Sequence, residues 1–131
     1  MKRTSVNPWS WSLKLGYHQA EILEDIKRQL VCAGQTSVDA QGNPQHTDDM
    51  RGQMALALEN LEAVLEAAGM SLSNITRLNI YTTDMDETME HFDVLGAGFG
   101  AFNATPPMTL LGVTRLAIPT LMFEIEATAA D

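Results

Sequence analysis

The feature that most constrains this chain is an apolar stripe that recurs with helical spacing across the middle of the sequence. Its members are spaced by four, four, three and four residues and lie on one helical face: Met50, Met54, Leu58, Leu61 and Leu65. Thr47 is a suitable N-cap, and Gly69 is a suitable C-terminal stop. The pattern predicts a helix with one face to bury, so other parts of the chain must cover that face.

Segments typical of strands flank this helix on both sides. Strands are predicted at residues 17–23, 28–33, 75–83, 108–116 and 121–128, and the first two are expected to pair. A second helix is predicted over residues 84–99, capped by Asp84 or Asp86. Its apolar anchors are expected to be Met85, Met89, Phe92 and Phe99. The order ββαβαββ predicts one α+β domain over residues 1–131, with two helices packed on one face of a mixed sheet.

Two of the predicted strands alternate between apolar and polar residues. One side carries Leu78, Ile80, Leu121, Phe123 and Ile125, and the other carries Arg77, Asn79, Tyr81, Met122, Glu124 and Glu126. Helices are expected to cover the first side. The second side is large and partly apolar for so small a chain, which indicates self-association.

Charge and targeting signals exclude several classes of partner. Eight Lys and Arg against seventeen Asp and Glu give a net charge of −9, which repels nucleic acid. The N-terminus lacks the apolar run of a signal peptide, and no apolar stretch is long enough to span a bilayer. The lone Cys32 is expected to be a buried thiol in a reducing cytosol. We therefore expect a soluble, cytoplasmic protein without a nucleic-acid or membrane partner.

The residues alone offer little catalytic signal. The sequence has no Gly-rich phosphate loop, paired-cysteine metal signature or nucleophile elbow, and its three histidines are scattered, so no metal site is expected. Glu124 and Glu126 project from one strand face about 7 Å apart. Both carboxylates could simply face solvent, which is the commoner situation. If Glu124 instead lies at a subunit boundary facing Tyr17, burial would raise its pKa and let it activate water.

Several short segments occur in an order that resembles the Rid (YjgF) family, and together they cover nearly the whole chain. They are Gly16-Tyr17, Ala33-Gly34-Gln35, the run from Asn60 to Gly69, Thr83-Asp84-Met85, the run from Val113 to Leu116, and the run from Glu124 to Ala127. The resemblance implies a chorismate-mutase-like fold. It also implies a homotrimer that binds small molecules in clefts between its subunits.

The resemblance also implies an activity. The best-known members hydrolyse reactive enamines and imines, such as 2-aminoacrylate, to keto acids and ammonia without a cofactor. In them an arginine grips the substrate carboxylate; Met108 stands at that position here. The remaining residues matched to the family's cleft are Tyr17, Gly34, Thr109 and Glu124, with Phe92 or Asp93 where many members carry asparagine. Glu124 and Tyr17 are the predicted catalytic residues, and the cleft is expected to suit a neutral or aromatic ligand.

Three functions follow from these observations. The first is hydrolysis or tautomerisation of a reactive enamine or imine, outside the standard 2-aminoacrylate reaction because Met108 cannot pair with a carboxylate. The second is a trimer that binds a metabolite without turnover. The third is RNA cleavage or inhibition of translation, as attributed to some family members, which the acidic charge disfavours.

Overall fold

The computed structural model describes all residues, Met1–Asp131. Its strands are β1 (Lys2–Val6), β2 (Ala20–Glu24), β3 (Gln29–Val31), β4 (Gln35–Thr36), β5 (Ile75–Thr82), β6 (Met108–Gly112) and β7 (Phe123–Ala130). Its helices are α1 (Met50–Ala67), α2 (Met85–Glu90) and α3 (Asp93–Ala101). Short 3-10 turns lie at Trp11–Leu15 and Leu72–Asn74.

The main sheet is mixed and has the strand order β3-β7-β5-β6, with β4 also paired to β7. Strands β5 and β6 run parallel, whereas β7 is antiparallel to β3, β4 and β5. Helix α1 packs on β7, and α3 packs on α1. The residues that the sequence assigned to the helix-facing side of β5 and β7 are buried, among them Leu78, Ile80, Phe123 and Ile125. The predicted α+β class is confirmed.

Helix α1 buries the whole predicted stripe, with all five side chains 5% exposed or less. The predicted N-cap Thr47 is wrong by two residues. Asp49 caps the helix, because its side chain accepts a hydrogen bond of 2.9 Å from the Gly52 N–H. Asp48 has φ = 59°, a left-handed conformation that a right-handed helix cannot include, so the helix begins only after it.

The expected pairing of the two early strands is also wrong. Strand β2 pairs with β1, and β3 pairs with β7 at the edge of the main sheet. The sequence did not indicate β1 because four of its five residues are exposed, so it lacks the apolar alternation that marks a half-buried strand. The Arg3 side chain holds β1 in place by donating hydrogen bonds to the carbonyls of Ser73 and Ile75 and to Glu21.

The second predicted helix is two helices. Asp84 caps α2 by accepting a hydrogen bond from the Glu87 N–H, but the chain leaves helical geometry at His91 and α3 begins at Asp93. Met85 and Met89 are 36% and 57% exposed, so they are not core anchors. The buried residues of α3 are Leu95 and Phe99. Phe92 is partly buried against the core, as predicted.

The predicted strand over residues 108–116 is shorter than expected. Strand β6 ends at Gly112, and the following residues turn before β7 begins at Phe123. The pairing of β6 along β5 stops where β5 itself ends, at the register pair Thr82 and Gly112. Since a strand needs a paired neighbour to satisfy its backbone, the chain beyond Gly112 has no reason to stay extended.

Candidate functional site

The site residue Glu124 lies near the beginning of β7, which the core helix holds in place. The buried Gln53 side chain of α1 accepts a hydrogen bond of 2.8 Å from the Met122 N–H and donates one of 3.1 Å to the Thr120 carbonyl. Phe123 and Ile125 are fully buried on the helix side. Glu124 therefore projects from the opposite face of the sheet, hereafter the open face, where it is half-buried.

Glu124 packs directly against Gly34. Strand β4 pairs with β7 so that Thr36 lies beside Glu124. A Cβ atom built on Gly34 would lie 2.7 Å from Cδ and 2.9 Å from Oε2 of Glu124, closer than real Cβ atoms approach other atoms. Glycine leaves room for the carboxylate in this position, and a side chain at residue 34 would displace it, so the two predicted site residues form one local unit.

A polar network surrounds this unit on the open face. The Tyr81 hydroxyl donates a hydrogen bond of 2.5 Å to Glu126 Oε1, and Asn79 Nδ2 donates one of 3.2 Å to the same oxygen. The hydrogen bond to Glu126 raises the pKa of the Tyr81 phenol above its ordinary value of 10.0. The Glu126 carboxylate therefore already accepts hydrogen bonds from two side chains of the same chain.

Glu124 differs from Glu126 in its surroundings. Partial burial, followed by the charge of Glu126, raises the pKa of Glu124 above its ordinary value of 4.5. No hydrogen bond within the chain offsets this rise. A carboxyl group with a raised pKa and free oxygens can exchange a proton with a bound molecule, which is the requirement for a general acid or base.

Met108 and Phe92 lie on the helix side of the sheet, beside a cavity of about 290 Å³ between α3 and the strands. Met108 is the register partner of Leu78 on the parallel strand β5, so both side chains face α3. Leu78 and Ile80 are fully buried and form the floor of the cavity. None of the thirteen lining residues is ionisable.

Thr109 faces the open side, because neighbouring residues of a strand point in opposite directions. Its hydroxyl accepts a hydrogen bond of 3.3 Å from Arg77 Nη2. Tyr17 lies near the cavity mouth, directly after Gly16, which lines it. The Tyr17 ring meets Trp11 edge to face, with ring centres 6.2 Å apart.

The single chain therefore divides the six predicted site residues between two places. Gly34, Thr109 and Glu124 lie on the open face, whereas Phe92 and Met108 lie at the cavity with Tyr17 next to its mouth. From the register, Glu124 and Met108 are two strands and three residues apart, or about 10 Å across and about 10 Å along the sheet. One chain does not bring Glu124 and Met108 together.

The sequence did not reveal two parts of this arrangement. The first is the network of Tyr81 and Asn79 on Glu126, which depends on the register between β5 and β7. The second is the cavity beneath Met108. Its signal in the sequence is the spacing of Gly96 and Gly100, which lie one helical turn apart and leave one side of α3 without side chains.

No group of three or more His, Cys, Asp or Glu side chains is arranged to hold a metal ion. His18 contacts Asn7 Nδ2 through its Nδ1 atom at 3.0 Å, and Cys32 is buried as predicted, which raises the pKa of its thiol. None of the helices has both the length and the apolarity needed to cross a membrane.

Comparison with known proteins gave consistent similarities in sequence. The family model described as Endoribonuclease L-PSP matches residues 14–131. A RutC family protein of Pyrococcus horikoshii is 31% identical over 124 residues, covering 95% of this chain and 87% of the relative. The 2-iminobutanoate/2-iminopropanoate deaminase of Salmonella typhimurium is 30% identical over 110 residues, covering 80% of this chain and 81% of the enzyme.

Solved structures gave the same result. YyfB of Yersinia pestis, described as a member of the conserved Rid protein family, covers 100% of both chains with a TM-score of 0.87 and 30% identity. Escherichia coli TdcF, whose crystal structure contains bound serine, has a TM-score of 0.72 and 30% identity. That alignment covers 88% of this chain and 87% of TdcF.

Proposed function

Because the chain belongs to the Endoribonuclease L-PSP family, which includes the YjgF/Rid proteins, we propose that it hydrolyses or tautomerises a reactive enamine or imine without a cofactor. The observation that carries the proposal is the Glu124 carboxyl group, held against Gly34 with a raised pKa and no partner in the chain. The deaminase names of relatives from Salmonella and Escherichia coli support the same reaction class.

The proposed reaction adds one water molecule to a carbon–nitrogen double bond. An enamine first becomes the imine by moving a proton from nitrogen to carbon. Glu124 then transfers a proton from water to the imine nitrogen as the water oxygen bonds to the imine carbon, which gives a carbinolamine. It next transfers the hydroxyl proton of the carbinolamine to the same nitrogen as the carbon–oxygen double bond forms and the carbon–nitrogen bond breaks. The products are a carbonyl compound and ammonia. Tyr17 is proposed to donate a hydrogen bond to the reacting group.

We propose that the site is completed between the subunits of a homotrimer. The cavity with Met108 and the Glu124 carboxylate lie on opposite faces of the sheet, so a ligand reaching both needs two copies of the chain. The open face also exposes apolar side chains, with Val31 74% and Leu111 50% exposed. A second copy would cover this surface and desolvate Glu124 further.

Met108 makes the standard 2-aminoacrylate reaction a poor fit. Its thioether cannot replace the bidentate contact of a guanidinium with a carboxylate. Losing such a charge-assisted contact costs about 2–5 kcal/mol of binding where the anion is desolvated. The proposal is therefore an enamine or imine substrate other than 2-aminoacrylate.

The direct test compares Glu124→Gln with wild type on imines generated in situ by an amine oxidase or an amino-acid oxidase. Because general acid–base catalysis is worth about 10²–10⁴-fold, we expect kcat to fall by about that factor. Glu126→Gln is the matched control: it removes a neighbouring carboxylate that is already bonded to Tyr81 and should lower kcat far less. Wild-type rates equal to those without enzyme on every imine would reject the proposal.

A gain-of-function test addresses the substituted position. Met108→Arg returns the cation that the family uses for imino acids and should create measurable deamination of the imine made from alanine or serine. Met108→Lys is the matched control, since it adds the charge without the planar, bidentate geometry. Equal activity of both variants would show that charge alone, rather than arginine geometry, limits the reaction.

A second candidate function is binding of a metabolite without turnover. The loss of the arginine and the uncharged cavity favour it, because both concern binding rather than the reaction centre. Ligands that raise the melting temperature without being consumed would support this alternative. RNA cleavage, which the family name suggests, has less support because the net charge of −9 opposes binding of a polyanion.

A further inference from the structure

Resting on the proposed function, we infer that the substrate carries an uncharged aryl or branched-alkyl group that enters the cavity between α3 and the sheet. This assigns the protein to neutral, apolar imines or enamines. Hydrolysis of such an imine by one water molecule gives ammonia and a neutral aldehyde or ketone, whereas hydrolysis of an imino acid gives ammonia and a keto acid.

The first argument is the chemistry of the cavity wall. The space of about 290 Å³ is lined by thirteen residues, none of them ionisable and eight of them hydrophobic. The floor is formed by fully buried aliphatic side chains such as Leu78 and Ile80. A carboxylate moved into these surroundings would lose its hydration and gain no partner, whereas an apolar group gains by leaving water.

The second argument is the origin of the space. A Cβ atom built on Gly96 or on Gly100 would meet nothing within 4 Å, although both residues lie in α3. Gly98 differs, because its Cβ would lie 2.5 Å from Leu58 Cδ2. Packing of α3 on α1 thus explains only Gly98. Both glycines are exposed, so the space beside them is the open side of the cavity and not an interior void. Because glycine weakens helices and packing does not require these two, they indicate that access to the cavity is kept open.

The third argument is the position of the polar groups. Asn103 and Thr105 line the cavity and are exposed, so they lie at its mouth, on the side where Gly16 leads into Tyr17. The buried end offers no polar side chain of comparable reach. A ligand would therefore place its apolar group inside and its carbon–nitrogen bond at the mouth, toward the catalytic residues of the completed site.

The binding test uses two probes with the same ring, neutral benzyl alcohol and anionic benzoate, on the full-length protein. Isothermal titration or ligand-observed NMR should give at least roughly tenfold tighter binding of benzyl alcohol. Gly100→Leu fills the cavity and should weaken that binding by at least roughly tenfold. Ala97→Leu is the matched control, because it adds the same side chain to the same helix at an exposed position outside the cavity. Benzoate binding as tightly as benzyl alcohol, or Gly100→Leu binding like wild type, would overturn the inference.

A turnover test separates this inference from the proposed function. An amine oxidase acting on 1-phenylethylamine supplies a neutral imine, and an amino-acid oxidase acting on phenylglycine supplies the imine in which a carboxylate replaces the methyl group. Faster hydrolysis of the neutral imine, lost in Gly100→Leu, supports the inference. Faster hydrolysis of the carboxylate imine overturns the inference and leaves the proposed function standing. If neither imine is hydrolysed but the binding pattern holds, the proposed function fails, and the assignment of ligand class stands for a binding protein.

Discussion

The two faces of the main sheet present opposite environments although the same strands build them. On the open face, Glu124 is crowded against the Gly34 backbone and Glu126 is bonded to Tyr81. On the helix side beneath α3, an uncharged cavity has unused space. Adjacent residues of β5 contribute to each: Ile80 to the cavity floor and Tyr81 to the polar network.

This difference shows that the apolar cavity and the carboxyl group with a raised pKa are separated within one chain. The carboxyl group of Glu124 owes its raised pKa to partial burial and to the neighbouring charge of Glu126, whereas an apolar ligand needs a surface without charge. The sheet is a single layer of backbone, and it keeps the apolar cavity on one face apart from the Glu124 carboxyl group on the other. A functional site that uses both must therefore join different copies of the chain, which is the arrangement proposed above.

The largest effect is expected from a variant that changes only the cavity side of the sheet. Ile80→Ala removes a fully buried side chain from the cavity floor and should lower the free energy of unfolding by about 3 kcal/mol. Tyr81→Phe, one residue away on the open face, should cost much less because the ring is retained. Urea denaturation at fixed protein concentration measures both. Similar losses for the two variants would contradict the proposed contrast between the faces.

The second effect is expected from a variant on the open face, at the contact between Gly34 and Glu124. Gly34→Ala places a methyl group where the Glu124 carboxylate lies. Because that carboxylate is the flexible end of a half-buried side chain, it can rotate away, and the variant should cost about 1 kcal/mol of unfolding free energy or less. Imine hydrolysis should fall with it. Gly112→Ala is the matched control, since its Cβ would meet only Met85 Cε at 3.8 Å, an ordinary contact. If Gly34→Ala is as stable and active as Gly112→Ala, the close packing of Gly34 on Glu124 has no consequence.

A smaller effect sharpens the description of the polar network. In a Tyr17→Phe background Tyr81 is the only tyrosine. Glu126→Gln should then lower the midpoint of the spectrophotometric phenol titration, because the hydrogen bond to the carboxylate and its charge both raise the pKa of Tyr81. An unchanged midpoint would show that Tyr81 and Glu126 are not bonded in solution.

The smallest effect is a pH dependence at Glu124. Because its pKa is raised above 4.5 in the folded protein, ionisation costs more in the folded than in the unfolded state. The contribution of Glu124 to the free energy of unfolding therefore declines as pH rises from 4.5 through the pKa of Glu124 in the folded protein. Glu124→Gln cannot ionise, so it should match wild type in acid and become the more stable protein as pH rises through that window. A stability difference that is constant from about pH 4 to about pH 7 would contradict the raised pKa.

Local patterns in the sequence predicted the central elements of the fold. The stripe of α1 and the alternation in β5 and β7 were read correctly because each depends on the period of one element. The site was predicted less completely. Gly34 lies beside Glu124. Strand alternation implies that Met108 and Thr109 face opposite sides, but nothing in the sequence indicated which side each one faces or that Arg77 is the partner of Thr109.

The failures share a physical cause. Strand β1, the division between α2 and α3, and the end of β6 depend on what packs next to each segment. Arg3 fixes β1 through the Ser73 and Ile75 carbonyls, about seventy residues away in the sequence. The methionines of α2 resembled core residues because the sequence did not reveal that the predicted helix ends before His91 and that only the second helix, α3, buries its apolar side chains.

The sequence by itself determined which residues of α1, β5 and β7 form the core and which side of β7 carries acid, because side-chain chemistry and the repeat of a helix or strand act over a few residues. The tertiary structure alone decided that Glu124 and Met108 occupy different faces two strands apart, and that α3 leaves a cavity beside Gly96 and Gly100. Register and packing between distant segments set these features, and no local pattern encodes them.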